Sequence, residues 1–239
     1  MNKIIVLGSS GLLGKEVLNY LNTKKYNVCG VDIKPDYNCK NNLKFDITKL
    51  KSKEEFNIFL ENIIDSETKY IIIIDCLLIK NNIKNETIEE FHNSFLCYLT
   101  TSICLAKWFG EFCTKREIKG SMVMMSSIKA FSAPKFYHYE NTNMNSELEY
   151  GVSKAGISLA VKDLSVRYKG LVRYNAIAPG GIEGEKHIKT FLDKYNQSCL
   201  IKPGLIKPLE IAKLVDFIIR EDCPIIGQTI TIDNGWSLT

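Results

Sequence analysis

Tyr150 and Lys154, in the stretch Tyr150-Gly151-Val152-Ser153-Lys154, have the types and spacing to move a proton together. If residues 149–169 are a helix, its 3.6-residue period sets both side chains on one face, one turn apart. A phenol is a poor base near neutrality because its unperturbed pKa is about 10, but an ammonium one turn away favours the phenolate and lowers that pKa. Such a pair can exchange a proton with a hydroxyl. The same residues also fit a helix-start aromatic beside a solvated cation, so the rest of the chain must decide between the two.

A glycine-rich turn near the N-terminus offers a nucleotide for that chemistry. The apolar run 3–7 stops at Gly8-Ser9-Ser10-Gly11-Leu12-Leu13-Gly14, and residues 15–24 read as a helix with Val17, Leu18 and Leu21 inward. In a strand–turn–helix of this kind Gly8 makes the tight turn and Gly11 lets backbone approach a pyrophosphate. Gly14 lets the helix pack on the strand with its N-terminal amides toward the phosphates. Ser10, Leu12 and Leu13 belong to the same candidate contact surface. A second apolar run, 27–31, ends in Asp32, about twenty residues beyond the turn, where an acidic side chain accepts hydrogen bonds from an adenosine ribose. Its charge would repel a ribose phosphate, so NAD is expected over NADP, with Lys34 pulling the other way. Asp32 as a plain strand-end turn residue is the alternative.

Between these motifs strands and helices alternate. Strands are expected at 43–45, 70–74, 121–125, 171–177 and 228–232, and helices at 54–64, 88–113 and 208–219. This alternation implies an α/β fold with a parallel sheet. Asp46, with Ile47 behind it, either meets an adenine amino group or caps a turn. Asp75 closes the continuous apolar run 70–74 at the C-terminal edge, where open sheets bind ligands. Asn93 lies inside the long helical stretch as a kink, a water-binding point or an exposed polar residue. Ser126-Ser127 sit at a strand's C-terminal end, as ligand contacts or turn formers.

Residues 131–148 read as a loop with neither period, long enough to be functional. Tyr137, His138, Tyr139, Glu140 and Asn143 are its candidate substrate contacts. His138 is either a base or a hydrogen-bonded surface histidine. A second irregular, lid-like region is expected at 183–207, after Pro179-Gly180-Gly181-Ile182, whose glycines allow close backbone approach. One domain spanning 1–239 is thus expected, with substrate loops at 131–148 and 183–207.

Composition narrows the class. With 239 residues and 45% hydrophobic content the chain can bury a sizeable core, and a net charge of +4 without a basic run argues against nucleic acid. No run reaches the ~20 apolar residues a bilayer span needs, so a cytoplasmic protein without membrane partners is expected. The eight cysteines show no metal-ligand spacing and read as reduced packing residues, Cys97, Cys104 and Cys199 among them; no metal is expected.

Taken in order, these pieces resemble the short-chain dehydrogenase/reductase family over essentially the whole chain. The resemblance rests on the glycine turn, Asp32, Asn93, Ser126-Ser127, Tyr150 to Lys154, Asn175-Ala-Ile-Ala-Pro179-Gly180, and Gly227-Gln-Thr-Ile-Thr-Ile-Asp233-Asn-Gly235. It implies a single-domain, Rossmann-like, doubly wound parallel sheet of about seven strands with helices on both faces, and a homodimer or homotetramer. It also implies hydride transfer between a nicotinamide cofactor and a secondary alcohol or ketone. Tyr150 would be the general acid/base, and Lys154 would lower its pKa and bind the nicotinamide ribose. Ser127 would hold the substrate oxygen and Asn93 a relay water. Gly8, Ser10, Gly11, Leu12, Leu13, Gly14, Asp32, Asp46, Ile47, Asp75, Pro179, Gly180 and Ile182 would line the cofactor, with Ile182 at the carboxamide. Tyr139 and Gly181 would join Ser127 and Tyr150 at the substrate.

The chain departs from the family in three places. Its glycine spacing is that of the extended branch; Asp75-Cys76-Leu77-Leu78 stands where Asn-Asn-Ala-Gly is usual; and the Ser127–Tyr150 interval is longer by about ten residues, a length of loop that tends to be functional. That loop, with Pro179 to Ile182 and Phe191 to Tyr195, is similar to a subgroup tied to bacterial flagellin modification and surface-glycan sugar synthesis. A small-molecule substrate, a sugar phosphate or nucleotide sugar, is the implied partner, with Lys135 and Lys186 as candidate phosphate contacts. The alternatives are a ketoreductase of lipid or secondary metabolism, and a catalytically silent NAD-binding sensor or scaffold.

Overall fold

Tyr70–Asp75, sequence YIIIID, is buried along its whole length and forms the strand around which the others are laid. A run apolar on both faces can only sit in the middle of a parallel sheet covered by helices on both sides. The computed structural model describes residues 2–34, 42–76, 87–184 and 188–239, with every side chain in them except that of Cys97. Leu77, Leu78 and Lys186 lie outside those residues.

The strands are β1 (Asn2–Leu7), β2 (Val28–Asp32), β3 (Asn42–Lys44), β4 (Tyr70–Asp75), β5 (Lys119–Met125), β6 (Val172–Pro179) and β7 (Thr229–Ile232). They form a seven-stranded sheet in the order β3-β2-β1-β4-β5-β6-β7. Every pairing is parallel, β4 lying between β1 and β5 with Asp75 opposite both Leu7 and Met124. Helices α1 (Leu12–Thr23) and α7 (Pro208–Ile219) cover one face, where Val17, Leu18 and Leu21 meet Ile211, Val215 and Ile218. Helices α2 (Lys53–Glu61), α4 (Thr101–Arg116) and α5 (Leu148–Arg167) cover the other with Phe56, Phe59, Phe109, Ile157 and Val161. The chain turns to opposite sides after β1 and β4, and ligands of open sheets bind in the crevice that such a switch point opens at the strands' C-terminal ends.

The long helical stretch expected at 88–113 is an α-helix, α3 (Ile88–Phe95), opened by a Thr87–Glu90 capping box. It runs on through a π-helical segment, Leu96–Thr100, into α4. Short π segments inside helices are frequent at functional sites.

The region 183–207 corrects the reading from sequence. Instead of an irregular lid it contains α6 (Lys189–Gln197), with Phe191 and Tyr195 buried one turn apart. In so short a helix, rich in polar residues, the apolar face is defined by what it packs on, and that partner is distant in sequence. The partner is an aromatic cluster of Ile128, Phe191, Tyr195, Cys199 and Trp236, with Tyr139 and Met144 from the other loop packed against it. Cys29, Cys76, Cys113, Cys199 and Cys223 are free and buried, and Cys104 is free and partly buried.

Candidate active site

The buried strand β5 delivers Ser126 and Ser127 to the sheet's C-terminal edge, and α5 runs past them. Ser126 Oγ lies 2.9 Å from the Lys154 carbonyl and 2.8 Å from Ser158 Oγ, stitching the strand end to the helix. Ser127 opens a 3-10 turn, its Oγ accepting the Lys129 amide at 3.2 Å. The first serine is therefore an anchor, and the second stands at the start of the turn.

Tyr150 and Lys154 lie on α5, as their spacing requires. Lys154 is 4% exposed, and its Nζ donates to the Met125 carbonyl at 2.8 Å. The ammonium is 5.6 Å from the Tyr150 ring centroid. The solvated-cation reading is thereby excluded. Burial pulls the Lys154 pKa down, and the negative charge of Asp75, itself 2% exposed, opposes that pull. Tyr98, from the π segment, meets Tyr150 edge-on at 5.3 Å and donates from its hydroxyl to Glu147 at 3.2 Å. Sequence gave no signal for this contact, because only the π turn aims Tyr98 at α5. Asn93 stands exposed ahead of the same turn.

The glycine turn lies across the sheet edge. A Cβ on Gly14 would come 2.0 Å from the Gly8 carbonyl oxygen, so glycine is required for α1 to seat on the turn. Gly8 itself has φ +72°. The N-terminus of α1 has no side-chain cap, and Ser9 Oγ and Ser10 Oγ are buried without a hydrogen-bond partner. Uncapped helix amides beside orphaned hydroxyls fit a pyrophosphate. Leu12 and Leu13 form the helix's first turn. Asp32 accepts the Ser10 amide at 3.0 Å and the Lys34 amide at 2.9 Å, which ties its carboxylate to the turn. Asp46 caps its own 3-10 turn, accepting from Thr48, and the Ile47 side chain enters the core, leaving only its backbone for a ligand.

On the other flank, Gly180 donates to the Ile232 carbonyl at 2.9 Å after Pro179 ends β6. Gly181 donates to the Tyr195 hydroxyl at 2.6 Å. Ile182 is buried and bridges to Ile206. A Cβ on Gly184 would lie 3.1 Å from Leu12, so this strap reaches toward the glycine turn.

His138 is hydrogen-bonded, but it is 1% exposed and not at the surface. Its Nε2 lies 2.9 Å from Ser198 Oγ, among the rings of Phe191, Tyr195 and Trp236. Burial, then the charges of Lys135, Lys129 and Lys194, push its pKa down to about 4. The unfolded histidine, near 6.5, then takes up a proton the folded one refuses. Folding stability should fall as pH drops from about 6.5 toward 4, by at least about tenfold in the folding constant. Urea midpoints of wild type and His138→Asn across that window measure this. The wild type should lose more than the variant, and equal slopes would show that His138 does not titrate in the window.

Tyr139 Oη accepts from Lys129 Nζ at 2.7 Å, and its ring packs on Phe191 at 5.5 Å. Tyr137 bonds Ser198 at 2.6 Å, Glu140 pairs with Lys194 at 3.3 Å, and Asn143 is exposed. Lys129, two residues beyond Ser127, also donates to the Ser146 hydroxyl, a contact that local sequence pattern does not signal.

Comparison with known proteins agrees with this fold. The chain is similar to post-translational flagellin modification protein A of Campylobacter coli, 29% identical over 260 aligned positions that take in 99% of each chain. Among solved structures it superposes on a short-chain dehydrogenase of Leptospira borgpetersenii with bound NAD+ at a TM-score of 0.83, with 23% identity, covering 99% of this chain and 92% of that one. An aldohexose dehydrogenase of Thermoplasma acidophilum gives a TM-score of 0.79 and 20% identity, covering 100% and 94%. The family model described as enoyl-(acyl carrier protein) reductase matches residues 72–237. Well over half of the chain falls within that match, and the protein therefore belongs to the short-chain dehydrogenase/reductase family, NAD(P)-dependent oxidoreductases of CH–OH groups.

Proposed function

We propose that the protein interconverts a secondary alcohol and a ketone on a sugar derivative, a sugar phosphate or nucleotide sugar of surface-glycan synthesis, using NAD and Tyr150 as general acid/base. The observation that carries this reading is the buried Lys154 ammonium, held on the Met125 carbonyl and 5.6 Å from the Tyr150 ring at the strand end that bears Ser127. The relative in flagellin modification supports the glycan setting.

The residues divide the work. Ser127 donates to the substrate oxygen and fixes it beside the Tyr150 hydroxyl. Tyr150 takes the alcohol proton in oxidation and returns it in reduction. Positive charge at Lys154 stabilises negative charge developing on the phenol oxygen, and the same ammonium would hold the nicotinamide ribose. Tyr98 limits the swing of the Tyr150 ring, and Asn93 holds a water through which the proton reaches solvent. Nicotinamide, when bound, supplies or accepts the hydride. Gly8, Ser10, Gly11, Leu12, Leu13 and Gly14 would hold its pyrophosphate. Asp32 would hold the adenosine ribose, Asp46, Ile47 and Asp75 the adenosine side, and Pro179, Gly180 and Ile182 the nicotinamide side. Tyr139 and Gly181 face the substrate.

The protein acts as a cytoplasmic homodimer or homotetramer in this reading. Leu148, Val152, Leu159 and Val166 leave an exposed apolar stripe on α5 that a second copy can cover. Among the described residues no helix is long and apolar enough to cross a membrane.

The cofactor assignment is tested by titrating the protein with NAD and NADP. A fixed carboxylate at Asp32 repels a 2′-phosphate, so NAD should bind at least about tenfold more tightly. Equal binding, or tighter binding of NADP, would remove Asp32 from that role.

A further inference from the structure

We infer that Lys129 is an anion-binding residue that receives a phosphate group of the substrate. The inference rests on the sugar-oxidoreductase reading above and names what the substrate must carry. Lys129 lies on the 3-10 turn that Ser127 opens, and its backbone carbonyl would be 3.2 Å from a Cβ placed on Gly151, the neighbour of Tyr150. The Lys129 backbone therefore lies against α5 beside Tyr150, two residues after Ser127.

Three lysines stand close enough to His138 to depress its pKa; Lys194 has a carboxylate partner, Lys135 and Lys129 have none among the described residues, and of these two only Lys129 lies beside Ser127. Lys194 pairs with the Glu140 carboxylate and also donates to the Tyr137 carbonyl. Lys135 lies 4.4 Å over the Trp236 ring and is held by the Trp236 carbonyl and the Thr239 hydroxyl at the chain's end. Lys129 has only neutral partners, the hydroxyls of Tyr139 and Ser146, and no carboxylate among the described residues pairs with it. Of the acidic groups on the surrounding elements, Glu147 accepts from Tyr98, Asp233 accepts the amides of Gly235 and Ser237, and Glu149 is buried on α5.

An ammonium has three donors, and two hydroxyls leave one of them for a ligand. A partly buried cation held in place but not neutralised has its strongest interaction with an anion. His138, neutral near physiological pH, adds no charge of its own, so the cationic surplus is set by the lysines. The Tyr139 and Ser146 hydroxyls orient the ammonium, and both come from the extra length of chain between Ser127 and Tyr150 that departs from the family pattern. That insertion thus supplies a phosphate subsite.

The test is calorimetric titration of the NADH-loaded protein with glucose, glucose 6-phosphate, uridine diphosphate glucose and inorganic phosphate. Bound NADH keeps the pyrophosphate cleft filled, so added phosphate reports on other sites. Wild type should bind one of the two phosphorylated sugars at least tenfold more tightly than glucose, and which one it is separates a monoester from a nucleotide diphosphate. K129M should lose that preference and the binding of inorganic phosphate, and K129R should keep both. K129Q retains a donor toward Tyr139 and Ser146 while removing the charge, and it takes the place of K129M if that variant does not fold. A wild type with no preference for the phosphorylated sugars, or a charge-removing variant that keeps the preference, overturns the inference. Turnover of a sugar with the same KM in K129Q as in wild type would sink the subsite and leave the oxidoreductase reading standing. Lysine-dependent binding of inorganic phosphate by a protein that turns over no sugar would do the reverse.

Discussion

Tyr150→Phe should lower kcat by about 10²–10⁴-fold, the contribution of a positioned general acid/base, while NAD affinity changes little. The substitution removes one oxygen and keeps the ring. Tyr98 packs edge-on against that ring at 5.3 Å, a contact phenylalanine preserves. The loss should therefore fall on kcat and not on folding, and melting temperatures of the two proteins should agree within a few degrees. Steady-state kinetics in both directions measure the effect. A variant that retains a tenth or more of wild-type turnover would show that another group moves the proton.

Lys154→Met should abolish activity to a similar extent and, unlike the tyrosine change, should also destabilise the protein. The lysine is buried, hydrogen-bonded to the Met125 carbonyl, and lies in the field of the buried Asp75 carboxylate. Removing the cation takes its field away from the buried Asp75 carboxylate and leaves the buried Met125 carbonyl without its donor, and both changes destabilise a buried site. Adding Asp75→Asn removes the carboxylate whose charge the lysine opposed, so the double variant should regain part of the stability and none of the activity. Urea unfolding of the two single variants and the double variant measures the coupling. A double variant no more stable than Lys154→Met would show that Asp75 does not balance the lysine. The same pairing accounts for the departure at Asp75. An acidic residue at the end of β4 supports a cation whose burial otherwise favours its neutral form.

The strands and the Tyr150–Lys154 pair were legible because they depend on local pattern. Continuous apolar runs such as 70–74 define central strands whatever surrounds them, and a four-residue spacing puts Tyr150 and Lys154 on one face of any helix. The glycine turn is legible for the same reason: Gly14 is demanded by a contact with Gly8, six residues away. What was hidden depends on partners distant in sequence. Helix α6 is defined by the aromatic cluster it lies on, and His138 is buried because residues near 191–199 and 236 close over it. The π segment that aims Tyr98 at Tyr150 has no local signature. Lys129 looked like any surface lysine, and it gains meaning only once Tyr139, Ser146 and the absence of a paired carboxylate among the described residues are seen together.

The most direct test of the central claim is the absorbance of reduced nicotinamide as the purified protein, supplied with NAD, meets a panel of sugars, sugar phosphates and nucleotide sugars. The account predicts NADH formation with at least one phosphorylated sugar, abolished by Tyr150→Phe. NAD binding demonstrated in the same preparation, with no NADH formed from any member of the panel, would contradict it.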